Sequence, residues 1–418
     1  MTEKWIDPSI WRGLTQPRIS RRDLFRYAGA AGGALGLAAF LEACGTKGVE
    51  PGGTSGGSLP NAGMGTPDWW DKQALHKQLD FNNWPYYMDV GPGGTHPSLD
   101  QFTAQTGIKV NYGEHIQDNP EYWAVIRPQL QAGKDIGWDI IVLTNNDYPL
   151  GFLLNFGWAI PLDHRNMPNF DKYASDLVTN PSWDPGNKYT MAWQSGFTLI
   201  GYNTKYIKEE ITSIKSLFDP KYEGKIGMFA NASEVGSVGL LANGVDPSTS
   251  TPDDWKRAAD TLMQQKPIVY QYYDQGYIKG LKQEDTWISM AWSGDIFQAN
   301  LQGYDTLKAA VPQEGAMFWT DNMLMPYTAK NPLDAMTYMD YVYDPAVQAE
   351  IEDYNHYVCP VPDSKKIIAS KLHDPGVANS PLVFPDSQIL SLSRNYYAWK
   401  SSQDLTEWNN TFVPIFTG

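Results

Sequence analysis

From residue 76 onward, short apolar runs alternate with longer stretches in which apolar positions recur every three or four residues. The runs at 79–84 and 108–112 predict strands, and the run at 138–143 predicts a buried one, while 99–106 and 122–132 carry helical spacing. Strand, helix, strand, helix, strand is the order of a mostly parallel α/β sheet, whose ligands lie beyond the carboxyl ends of the strands. The polar tails at Trp84 and at Thr144-Asn145-Asn146-Asp147 are therefore the places to look for a site. Further strands are predicted at 197–202, 225–230 and 287–292, with a helix over 255–263 before the last.

The N-terminus has a different pattern. Ser20-Arg21-Arg22-Asp23-Leu24-Phe25 precedes an apolar, Gly- and Ala-rich stretch at 28–41, the layout of a secretory signal with the paired arginines of the twin-arginine route. That stretch is too short to span ~30 Å of hydrocarbon. Leu41-Glu42-Ala43-Cys44 follows and resembles the lipobox of bacterial lipoproteins, which implies that Cys44 is acylated and becomes the first mature residue. Residues 1–43 are thus expected to be the signal. Residues 44–75, rich in Gly and Ser around 52–58, are expected to be a flexible tether.

Charge narrows the partners. The net charge is −15, and removing residues 1–43 takes six bases from 32 and four acids from 47, leaving −17. With no basic block outside the N-terminus, nucleic acid is an unexpected partner, whereas cations are natural ones. Sixteen Trp and 24 Tyr exceed the usual needs of a core and suit the binding of sugars, bases or cations. Two cysteines, Cys44 and Cys359, give no disulfide framework, and Cys359 reads as a small buried hydrophobe. Six scattered histidines and the lack of H-E-x-x-H, C-x-x-C or G-x-S-x-G strings leave metal, cofactor and nucleophile chemistry without a framework, so no cofactor is expected.

A colinear series of strings resembles the spermidine/putrescine-binding proteins of bacterial ABC importers. It includes Asn83-Trp84 with Tyr87, Trp138-Asp139-Ile140-Ile141-Val142, Ala232-Ser233-Glu234-Val235, Ala291-Trp292-Ser293-Gly294, Phe318-Trp319-Thr320-Asp321 and Tyr357-Val358-Cys359-Pro360, within residues 79–365. The resemblance implies an α/β, two-lobed type II periplasmic-binding-protein fold with the ligand cleft between lobes. It places residues 76–195 and 320–365 in the first lobe and 196–319 and 366–418 in the second. It also implies an extracytoplasmic, lipid-anchored monomer that catalyses nothing and hands a polyamine or related organic cation to a membrane permease.

In that family the cleft is an aromatic box with carboxylates. The matching positions are Trp84, Tyr87, Trp292, Trp319 and Tyr357, with Glu234 and Asp321 as the acids. The chemistry suits an alkyl-ammonium, because rings take its methylenes and add cation–π attraction of ~0.5–2 kcal/mol per good contact. Carboxylates then accept charge-assisted hydrogen bonds from its nitrogens. Asn145 and Asn146, at a polar strand end, are candidates for one more contact. Asn231 stands where the resemblance implies an Asp, and an amide gives only a weaker, neutral bond. That points to a ligand with fewer charges than spermidine, or to one with a polar group. An opine-like conjugate, a thiamine-like cation or a sugar are alternative solutes, and a glycoside hydrolase using Glu234 and Asp321 is the alternative of a different class.

Overall fold

The computed structural model describes residues 63–417 apart from Asp274 and Lys400. The signal at 1–43, Cys44 and the first part of the tether lie outside the described residues. The tether ends earlier than residue 75. Thr66 caps a helix at Pro67–Trp70, and the Trp70 ring is buried with its indole N–H donating to the Pro161 carbonyl at 3.0 Å. Burying a large apolar side chain stabilises by about 2–3 kcal/mol, so the folded body begins near Thr66.

Strands β1 (Gln78–Asn82), β2 (Lys109–Gly113) and β3 (Ile140–Thr144) pair in parallel, with helices Pro97–Thr106 and Asn119–Gln131 between them in sequence. Both helices carry local start or stop signals. Asp118 caps the second, accepting from Glu121 N, and Gly107 ends the first in the left-handed conformation at φ 73°. β4 (Thr190–Asn203) is long and buried throughout. β5 (Ile226–Phe229), β6 (Val269–Tyr273) and β7 (Ile288–Trp292) form a second parallel set. β8 (Leu307–Ala310) and the buried β9 (Ala316–Leu324) follow, and the two-residue β10 (Ser393–Arg394) pairs with β9.

The strand order β2-β1-β3-β9-β4-β7-β5-β6 is two parallel half-sheets bridged by two long strands. β4 leaves the first half for the second and β9 returns, so they run in opposite directions and pair antiparallel. β3 pairs antiparallel with the end of β9, and β7 with the end of β4. The mostly parallel sheet expected from sequence therefore holds within each half and not across the crossing. At the crossing itself Gln194 is opposite Asp321, Ser195 opposite Thr320 and Gly196 opposite Trp319, just after a register shift between Ala192 and Gln194. Ser195 also bridges to Val358, which sets Tyr357 beside the crossing.

The last segment divides differently from the expectation. Residues 366–384 stay with the first half: Cys359 N donates to Val383 O at 3.0 Å, and the π-helical turn Ile368–Leu372 packs on helix Pro345–Asn355. Ile368, Val377 and Val383 are fully buried there, and that apolar contact holds the segment. The chain returns to the second half only at β10. Helix Ser402–Thr417 then packs on helices Ala232–Ala242 and Pro252–Gln265.

Candidate functional site

Six of the expected residues lie at or beyond the carboxyl ends of strands, as the α/β pattern requires. Trp84 and Tyr87 follow β1, Asn145 and Asp147 follow β3, and Asn231 and Glu234 follow β5. Trp292 is the last residue of β7, while Trp319 and Asp321 lie on β9 at the crossing.

Three rings form a connected series. Tyr87 and Tyr357 meet edge to face with centroids 5.5 Å apart, and Tyr357 meets Trp319 at 5.3 Å. Two glycines make room for them. A Cβ on Gly196 would overlap the Trp319 indole, and a Cβ on Gly294 would lie 2.7 Å from the Tyr357 ring. Trp292 packs against Phe229 at 4.9 Å and against Tyr277 at 5.6 Å, and its backbone N–H donates to the Tyr277 hydroxyl. The Tyr357 and Tyr277 hydroxyls both donate to Asp295, at 3.2 and 2.7 Å, which links Trp292 to the series. Trp84 is half-buried, and among the described residues no ring stacks on it. The indole N–H groups of Trp84 and Trp319 are buried without a partner.

The acids are buried without cations. Asp321, 3% exposed, accepts from Thr144 and from Tyr87. Burial pushes its pKa up to about 6 against the pull of those two hydroxyls. Glu234, 2% exposed, accepts through Oε1 from Tyr396 at 2.9 Å, Thr198 at 3.2 Å and Asn146 at 3.3 Å. Its Oε2 has no partner, and burial raises its pKa to about 7. Asp147 is also raised to about 7, first by burial, with Asp118 and Glu234 adding repulsion. Among the described residues no lysine, arginine or histidine pairs with Asp321, Glu234, Asp295 or Asp147.

The asparagines divide their work. Asn145 is tied to β9, its Oδ1 accepting from Thr320 N at 2.8 Å while its own N donates to Thr320 O. Its neighbour Asn146 makes the contact across the two halves, to Glu234. Asn231 caps helix Ala232–Ala242 by accepting from Glu234 N at 3.1 Å. Asp295, Tyr277, Tyr396 and Thr198 join the site without having been foreseen, and Thr144 joins it from the polar tail of β3. Asp295 had a signal, three residues after Trp292 in the first turn of helix Ser293–Leu301. Tyr396 had none, since it sits in an irregular stretch after β10.

The arrangement can hold a cation with an apolar stem: buried carboxylates supply charge and the rings supply flat apolar walls. No helix among the described residues is long and apolar enough to cross a membrane. The chain is 29% identical over 314 residues to the spermidine/putrescine-binding periplasmic protein of Salmonella typhimurium, covering 75% of this chain and 84% of that one. It shares its fold with the spermidine/putrescine ABC transporter substrate-binding protein PotD from Streptococcus pneumoniae, at TM-score 0.69 and 23% identity over 81% of this chain and 98% of that one. The TpPotD lipoprotein of Treponema pallidum has the same fold, at TM-score 0.67 and 17% identity over 81% and 99%. Residues 98–384 match the bacterial extracellular solute-binding protein family. The half-sheets, the two crossing strands and this match lead to one conclusion: the chain belongs to the bacterial extracellular solute-binding proteins, which bind solutes outside the cytoplasm.

Proposed function

We propose that this protein is a receptor that closes on a polyamine or related organic cation and delivers it to the permease of an ABC importer, without catalysing a reaction. One observation carries the reading. Asp321, Glu234 and Asp295 are buried among aromatic rings with no protein cation beside them. An uncompensated buried carboxylate is costly, and a protonated amine would offset that cost while its methylenes cover the rings. The name of the Salmonella relative, a spermidine/putrescine-binding protein, supports the same ligand class.

In this reading the first lobe holds residues 76–195 and 320–384, and the second holds 196–319 and 385–417. Rotation about β4 and β9 opens the cleft, and the Asn146–Glu234 contact belongs to the closed form. Cys44, once acylated, would hold the monomeric receptor at the membrane surface through its tether.

A thermal-shift panel on the full chain tests this, because a ligand raises the melting temperature according to RT ln(1 + [L]/Kd). Putrescine, spermidine and cadaverine should shift it; glucose, maltose and thiamine should not. A second reading has an observation of its own. The unpartnered indole N–H groups of Trp84 and Trp319 would suit a ligand that also carries acceptor oxygens, such as an opine-like amino-acid conjugate. That class belongs in the same panel, and a larger shift with it than with any simple amine would favour it.

A further inference from the structure

Helix Ser293–Leu301 belongs to the second half, where it packs on β4, β7 and β8. Helix Pro345–Asn355 belongs to the first, where it packs on helix Pro97–Thr106. The two meet where the latter ends, in a contact across the halves additional to Asn146–Glu234. The Gln298 side-chain amide donates to the Asn355 carbonyl at 3.0 Å, and the Phe297 and His356 rings lie 5.2 Å apart at 35°. One turn earlier, Gly294 leaves the room that the Tyr357 ring fills.

The end of the helix does not by itself call for these partners. Asn355 is the last helical residue, so its carbonyl has no donor within the helix, and Gln298 supplies one from the other half. Water can serve that carbonyl when the halves are apart, so the bond belongs to closure. His356 then ends the helix in the left-handed conformation at φ 62°, where glycine is favoured because a Cβ is crowded there. Histidine holds the place nonetheless, and its ring packs on Phe297. Asn355 also steadies the site, because its Oδ1 accepts from Tyr357 N at 3.2 Å. Docking of Gln298 and Phe297 is thereby felt at Tyr357, the ring that meets Tyr87 and Trp319.

We propose that Gln298 and His356 are positioning residues for closure: with Asn355 and Phe297 they clasp the two halves once a solute has entered, without touching the solute. The clasp rests on the two-lobed receptor reading above.

The experiment is calorimetric titration of the full chain with putrescine and with spermidine, with dissociation rates from stopped-flow fluorescence. Gln298→Ala removes one hydrogen bond across the halves and is expected to weaken binding about threefold to tenfold. The loss should lie in the dissociation rate, because the solute enters the open form before the clasp is made. His356→Gly separates the clasp from the helix end. Glycine suits the left-handed position, so the ligand-free melting temperature should hold or rise while affinity falls by a similar factor. A role confined to the helix end would move melting and leave affinity and dissociation rate at wild-type values. Wild-type affinity in either variant, or a loss confined to the association rate, overturns the clasp and leaves the cation reading standing. A wild-type chain silent toward both amines overturns the cation reading instead. Small-angle scattering of the ligand-free chain then decides the clasp: a larger radius of gyration is expected for Gln298→Ala, and an unchanged one overturns it.

Discussion

The Tyr87 hydroxyl donates to the Asp321 carboxylate at 2.7 Å across 234 positions of sequence, tying the loop after β1 to the returning strand β9. Asp321 is thereby oriented from one side by Tyr87 and from the other by Thr144. Asp321→Ala should weaken cation binding at least tenfold, ~1.4 kcal/mol. Tyr87→Phe keeps the ring and loses only the hydrogen bond, so its loss should be smaller. Calorimetric titration checks both, and equal affinity in Asp321→Ala would remove the acid from the site.

Gly196 and Trp319 face each other at the crossing of β4 and β9. Gly196→Ala puts a methyl into the indole, and overpacking of this kind costs about 1–3 kcal/mol. The expected outcome is a lower melting temperature together with weakened ligand binding, because the displaced ring is part of the site. Melting curves with and without ligand measure both effects. A variant with unchanged melting and binding would mean that the Trp319 ring sits elsewhere.

Affinity should rise with pH. Burial raises the folded pKa of Glu234 to about 7 and of Asp321 to about 6. Folded protein without ligand therefore binds more protons than unfolded chain between the ordinary carboxylate range and pH 7. These groups favour folding fully below that range, and the advantage is lost as pH climbs through 6 and 7. A cationic ligand binds the ionised acids, and its amines stay protonated to about pH 10. Binding should accordingly strengthen from pH 5 to pH 8, by up to about tenfold per unit for each group still titrating. Titration in buffers of different ionisation enthalpy should also register proton release at pH 6. A flat profile with no release would show that the two acids are ionised before ligand arrives.

Cys44→Ala should move the chain from the membrane fraction to the soluble fraction while leaving ligand affinity unchanged. Fractionation and intact mass of the membrane-bound form read this directly, and continued membrane retention of the variant would place the anchor elsewhere.

The local layers of this fold were legible in sequence. Apolar runs marked β1, β2, β3, β5 and β7 to within a few residues, because a buried strand or an amphipathic helix writes its period into the chain. The rings and acids of the site were legible mainly through their resemblance strings. Tyr87, Tyr357, Trp319 and Asp321 lie together at the crossing, while of the two candidate asparagines Asn145 is tied to β9 and Asn146 makes the contact across the halves. Asp295 looks like an ordinary first-turn acid until Tyr277 and Tyr357 arrive from distant segments. The antiparallel pairing of β4 with β9 and the return of residues 366–384 to the first half depend on long-range contacts that leave no local periodicity.

The most direct test is one-to-one calorimetric titration of the full chain with spermidine and putrescine at low salt, beside a neutral sugar. The account predicts saturable heat with a stoichiometry of one for at least one amine and none for the sugar. Heat with the sugar alone, and silence toward both amines, would contradict it.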